Sequence, residues 1–181
     1  MSMKAREKLL DAIRLAARRE EYAKRQPLLH QGDVSTHAHF VESGCLRLWY
    51  NDDGNDITVQ FFLPGDTVAS LESFFHGKPS RFGIEAILPS VVHTVTREQF
   101  QDHMAHDVGF KDLLFDMLVA RMADYQGLFL NRIMESPEQR YRDLLKHQPI
   151  LCETVPQHYL ASFLGITPVS LSRIRNKIEV R

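Results

Sequence analysis

Three textures of apolar and polar positions follow one another along the chain. Over residues 3–25, Leu9, Leu10, Ile13 and Leu15 stand among Lys, Arg, Glu and Ala, which predicts an amphipathic helix that Pro27 ends. From Leu28 to Val95, short runs rich in Val, Ile, Phe and Trp are cut by turn residues: Gly32-Asp33, Ser43-Gly44, Asp53-Gly54, Pro64-Gly65, Lys78-Pro79 and Leu88-Pro89. Turns at about ten-residue intervals predict an all-β barrel or sandwich. Asp53-Gly54, between the runs 46–50 and 57–63, predicts a tight hairpin. Past residue 95 the strands stop. Residues 97–103 open a helical region, and 108–134 read as one long helix without Pro. Its apolar positions are Phe110, Leu113, Leu114, Met117, Leu118, Met122, Leu128 and Phe129. At about 1.5 Å per residue it spans roughly 40 Å. A small barrel needs less cover than that, so part of the helix is expected to meet another chain.

Ser136 and Pro137 restart the chain as an N-cap and first helical position, and a short helix over 139–147 ends before Pro149. Residues 149–154 read as a linker. Two short helices and a tight turn follow. Leu160, Phe163 and Leu164 make the first one apolar, Gly165 suits its left-handed end, and Thr167-Pro168 starts the second. That second helix buries Leu171, Ile174 and Ile178. On the opposite side it presents Val169, Ser172, Arg173 and Asn176, with Ser170 and Lys177 on one flank. An α-helix fits the major groove of DNA, and short hydroxyls with an Arg in its first turns are suited to base edges. Arg173 has the fork for guanine O6 and N7, Val169 a surface for a thymine methyl, and Ser170 with Thr167 reach for phosphates. The pattern predicts a DNA-binding helix-turn-helix.

Charge supports that placement. The chain of 181 residues carries a formal −1, yet residues 137–181 hold seven Lys/Arg against four Asp/Glu and 1–136 hold 15 against 19. The basic end coincides with the two helices. Two distant cysteines, Cys45 and Cys152, show no metal or redox spacing, and Cys45 reads as a packed thiol. The first residues are charged and lack the apolar core of a signal peptide, and no apolar run reaches membrane-spanning length. A cytoplasmic protein that does not meet the membrane is expected.

The order of parts and several local phrases resemble the Crp/Fnr family of bacterial transcription regulators. Residues 28–33 (LLHQGD) and 40–47 (FVESGCLR) look like that family's first strands and turn. Residues 62–66 (FLPGD) look like the approach to its nucleotide pocket, and 136–144 (SPEQRYRDL) like the helix that opens its DNA-binding domain. The resemblance implies an α+β chain. A double-stranded β-helix (jelly-roll) domain of the cyclic-nucleotide-binding type would occupy residues 1–105, a dimerisation helix 106–135 and the helix-turn-helix 136–181. It further implies homodimers joined through 108–134, bound to double-stranded DNA at two half-sites about 34–36 Å apart. Gln157 and His158 would then reach phosphates. Many members continue into further strands, whereas this sequence ends three residues past Ile178, so contacts from such strands are expected to be missing.

The family's cyclic-nucleotide pocket uses Gly-Glu for the ribose hydroxyl and Arg followed by Ser or Thr for the phosphate. Here Ala69-Ser70 stands where Gly-Glu belongs, and Ser80-Arg81 reverses the second pair. Glu72 has the parity of Ser70 but falls two residues late, and Asp124 and Tyr125 are the polar positions of the long helix nearest a base. Losing a charged contact costs about 1.5–3 kcal/mol. Losing the ribose acceptor as well weakens cAMP by at least about a hundredfold. No cofactor is implied with certainty; a small-molecule effector other than cAMP remains open.

Two other classes compete. A ligand-binding module whose terminal helices touch protein instead of DNA would show no steep salt dependence. A cupin-like metal enzyme would use His37 and His39, which share a strand face, but Glu42 has the opposite parity and no later strand offers a clear third histidine. No nucleophile–base pair or phosphate loop is evident, so a non-enzyme is expected.

Overall fold

The computed structural model describes residues 17–179. Eight strands form two four-stranded antiparallel sheets that face each other as a β-roll. One sheet has the order β1 (Arg18–Tyr22), β8 (Ser90–Thr96), β3 (His37–Ser43), β6 (Thr67–Val68). The other has β2 (Pro27–Leu29), β7 (Gly83–Ala86), β4 (Leu46–Asp52), β5 (Asn55–Phe62). The β4–β5 hairpin turns at Asp53 (φ 47°) and Gly54 (φ 90°), as that dipeptide predicts. Val41, Leu46, Ile84, Ala86 and Val92 fill the space between the sheets and are essentially inaccessible to solvent.

The amphipathic helix expected over 3–25 is corrected where the structure describes it. Residues 18–22 are an edge strand paired antiparallel with β8, from Arg18 opposite Thr94 to Tyr22 opposite Ser90. Its charged residues find strand partners: Arg19 pairs with Glu21 (2.9 Å) and Glu42 (3.3 Å), and Glu20 accepts from Thr94 (2.8 Å). Pairing along an open sheet edge outweighs the helix preference of Arg and Glu. The rest of that predicted helix, 1–16, lies outside the described residues.

Seven helices are described. α1 (Leu71–His76) interrupts the roll; α2 (Arg97–His106) and α3 (Val108–Met134) leave it. Thr96 caps α2 with a complete capping box, and Asp107 caps α3 through the N–H of Phe110 (3.0 Å). α4 (Pro137–His147) opens with the Ser136–Gln139 capping box. The linker expected at 149–154 is instead a helical turn, α5 (Pro149–Thr154), because Leu151 and Cys152 are drawn into the core beneath α4. α6 (Gln157–Leu164) ends at Gly165 in the left-handed conformation (φ 68°), and α7 (Pro168–Glu179) follows. Among the described residues no helix is long and apolar enough to cross a membrane.

The C-terminal helices do not hang free of the roll. One buried cluster contains Cys45, Phe61 and Ile87 from the roll together with Tyr141, Leu151, Leu160 and Leu171 from the helices. Ser162 of α6 joins β5 directly: its Oγ accepts from the Thr58 N–H (2.9 Å) and donates to the Asp56 carbonyl (3.1 Å). The ring of Tyr159 lies under the buried guanidinium of Arg47 (3.7 Å), which is itself gripped by Asp56 (2.6 and 2.7 Å) and Glu85 (2.5 Å). Arg140 completes the join by donating to the carbonyls of Glu135 (2.7 Å) and Leu164 (2.9 Å).

Candidate nucleic-acid interface and effector cavity

Leu171 sets the orientation of α7. It is fully buried against α6 while Val169, two residues earlier, is 61% exposed. Ser172, Arg173 and Asn176 are exposed on the same outer side, and Ser170 is half-buried beside them. The N-terminus is held by Thr167, whose Oγ1 accepts the Ser170 N–H (3.2 Å) and meets the Ser170 hydroxyl (3.0 Å). A capped first turn presents Val169 and Arg173 on a rigid element.

Gln157, His158 and Lys177, all expected at the DNA surface, have other engagements. Gln157 donates its amide to the Pro168 carbonyl (3.0 Å), bracing the turn between α6 and α7. Lys177 pairs with Glu138 of α4 (2.6 Å), which also holds Arg142 (2.9 Å). Those two cations hold the Glu138 carboxyl below its usual range, hydrogen bonding from Lys177 being the larger cause. His158 is exposed and its ring leans on Tyr159 (3.9 Å between centroids).

The roll encloses a cavity of about 210 Å³ between β6, α1, the 79–82 segment and α3. Leu48, Phe62, Phe74, Phe82, Leu114 and Leu118 supply its apolar walls. Of the residues read from the sequence as effector contacts, Ser70, Glu72, Ser80, Arg81 and Tyr125 line it, and Asp124 does not. Asp124 is exposed, one position round α3 from Tyr125, so its carboxylate is corrected to a solvent position. The two serines satisfy each other: Ser80 Oγ donates to Ser70 Oγ (2.8 Å) and accepts the Phe82 N–H (3.0 Å). Glu72 lies outward with Lys78 (3.5 Å). Arg81 is exposed and, among the described residues, has no ion-pair partner. Reading by family positions missed Arg121. Its guanidinium reaches back from α3 to the Thr67 carbonyl (3.4 Å) and lies 5.6 Å from the Phe62 ring centroid. A basic residue one turn before Tyr125 on the same helix face was the available signal.

The histidines considered for a metal are separated chemically. His39 is buried and joined to Thr94 (3.0 Å), and burial lowers it to about 4, whereas His37 is exposed and meets Thr36 (2.9 Å). Glu42 instead faces His93 (2.6 Å) and Arg19. No group of three or more potential ligands converges among the described residues. Cys45 is fully buried, and burial pushes its thiol up to about 12, away from the reactive thiolate range.

Residues 19–107 match the cyclic nucleotide-binding domain family. No curated protein matches the chain in sequence. Among solved structures, FixK2 from Bradyrhizobium japonicum aligns with a TM-score of 0.78 at 19% identity, covering 91% of this chain and 85% of that one. CLP from Xanthomonas campestris, a c-di-GMP-responsive global regulator, gives 0.74 at 14% identity, covering 96% and 92%. A CRP-family transcriptional regulator from Thermus thermophilus gives 0.68 at 19% identity, covering 88% and 84%. The roll thus matches the cyclic nucleotide-binding domain family, and the chain as a whole has the fold of the Crp/Fnr transcription regulators.

Proposed function

We propose that this protein is a dimeric, DNA-binding transcription regulator whose sensor domain does not answer cAMP in the family's usual way. Residues 1–105 act as sensor, 106–135 as the dimerising and transmitting helix, and 136–181 as the DNA-reading module. The observation that carries the reading is the outer face of α7. An apolar Val169 and an Arg173 without an ion-pair partner among the described residues stand exposed on a capped first turn whose other side is locked into the core by Leu171. A helix that served only packing would have no use for that face.

A second face supports the dimer. Phe115, Val119, Met122, Gln126, Phe129 and Ile133 recur along α3 in alternating steps of four and three, and all are exposed. That is the seam of a two-stranded coiled coil, with the polar Gln126 inside it to fix register. The sensor works by population shift: a ligand that prefers one packing of the roll against α3 changes how the two α7 helices are spaced. The test is titration of the protein onto a labelled random-sequence duplex at rising salt. Affinity falling with a log–log slope of several phosphates is the expected result. Binding that is absent at low salt, or indifferent to salt, contradicts it.

A further inference from the structure

The chemistry of the roll cavity specifies a kind of ligand. A cyclic nucleotide would need an acceptor for its ribose hydroxyl and a guanidinium-plus-hydroxyl grip on its phosphate. The cavity has no carboxylate turned inward for the ribose, and its Arg81 is followed by Phe82, not by a hydroxyl residue. Ser70 and Ser80 are buried and bonded to each other, and the single proton of Ser80 is already spent between the Ser70 oxygen (2.8 Å) and the Phe82 carbonyl (2.6 Å). The nearest carboxylate, Glu72, is exposed and tied to Lys78. What the cavity does offer is an apolar interior with guanidinium groups at its edge.

Two of those groups come from different parts of the molecule. Arg81 belongs to the roll and is exposed without an ion-pair partner among the described residues. Arg121 belongs to α3 and is half-buried, and its bond to the Thr67 carbonyl is long at 3.4 Å. A neutral carbonyl at that distance is readily exchanged for a carboxylate, whose charge and paired oxygens match the guanidinium fork. Tyr125 stands one turn further along α3, and burial raises its phenol above the ordinary value, which keeps it a hydroxyl donor. The volume, about 210 Å³, falls below the ~300–1,000 Å³ usual for drug-sized ligands. The occupant is therefore compact.

We infer that the roll cavity binds a small apolar carboxylate, its hydrocarbon or aryl body among Phe62, Phe74, Phe82 and Leu118 and its anionic head between Arg81 and Arg121. This rests on the roll being a sensor, and it adds the class of molecule sensed. It also supplies the coupling. A carboxylate held jointly by Arg81 and Arg121 ties the roll to the dimer helix, beside the contacts that Thr67 makes with Arg121 (3.4 Å) and Met117 (3.5 Å).

The experiment is calorimetric titration of the full chain with 3-phenylpropionate and octanoate, each beside its primary amide, and with cAMP. Both carboxylates are expected to bind at least tenfold more tightly than their amides and than cAMP. Arg121→Gln and Arg81→Gln should each remove most of the preference for carboxylate over amide while leaving amide binding unchanged. Arg81 is exposed, so its variant folds irrespective of the outcome at Arg121. Equal binding of acid and amide, a preference that survives both substitutions, tighter binding of cAMP, or no binding of either carboxylate overturns the inference. The titration is read without DNA. A chain that binds carboxylates but no DNA refutes the regulator reading alone, and a DNA-binding chain indifferent to carboxylates refutes this one alone.

Discussion

At the scale of single residues, two side chains carry separable consequences. Arg173 is exposed, unpaired among the described residues and one turn into α7, where a guanidinium can fork onto a guanine edge. Arg173→Ala should cost about 1–3 kcal/mol of discrimination at one base pair while leaving non-specific affinity nearly unchanged; competition between point-substituted duplexes measures it. His39 bears on stability. The Thr94 hydroxyl gives its single proton to Glu20 (2.8 Å), so His39 must donate from Nδ1 to the Thr94 oxygen (3.0 Å). Burial lowers the ring from the ordinary 6.5 to about 4, so the folded state resists a proton that the unfolded chain accepts. Above pH 6.5 both states are neutral and nothing is lost. Between 6.5 and 4 stability falls, by about 3 kcal/mol in total from this residue. His39→Gln should flatten the pH dependence of the urea midpoint across that window, and an unchanged slope would contradict the assignment.

At the scale of elements, the turn between α6 and α7 depends on one residue without a side chain. Gly165 has φ 68°, and a Cβ there would lie 2.4 Å from the Arg132 guanidinium, which donates to the Phe163 carbonyl (3.2 Å). Gly165→Ala should destabilise the protein by about 1–2 kcal/mol for the left-handed backbone alone, measured by chemical unfolding. The same element was legible beforehand, because Gly at a helix end and Thr-Pro at a helix start are local signals needing no partner. The β4–β5 hairpin and α3 were legible for the same reason. The strand at 18–22 was not, since its sequence, RREEY, favours a helix and becomes a strand only when β8 lies alongside. Nor was α5, whose short run was read as a linker although Leu151 and Cys152 bind it to the core. In the roll cavity, the lining positions of Ser70, Ser80, Arg81 and Tyr125 were legible from position. The mutual bond of the serines, the outward turn of Glu72 and the reach of Arg121 depend on side-chain geometry between distant segments.

At the scale of the whole molecule, the roll, the long helix and the C-terminal helices are joined by few polar contacts. Ser162 and Tyr159 of α6 dock on β5 and Arg47, and Arg140 clamps the end of α3 to α4 and α6. A change in the roll can therefore reach α7 by two routes, through the β5 contact or along α3. On the proposed reading, both act on DNA only if two copies stand side by side. Met122→Lys places a charge within the α3 seam and should convert a dimer to a monomer in analytical ultracentrifugation, with operator affinity lost in parallel. A dimer that survives the substitution would move the interface elsewhere.

The most direct test of the central claim, that paired α7 helices read neighbouring major grooves, is selection of bound duplexes from a random pool by the intact protein. The account predicts enrichment of an inverted repeat whose half-site centres lie about one helical turn, 34–36 Å, apart. Recovery of no common sequence, or of a single unrepeated site, would contradict it.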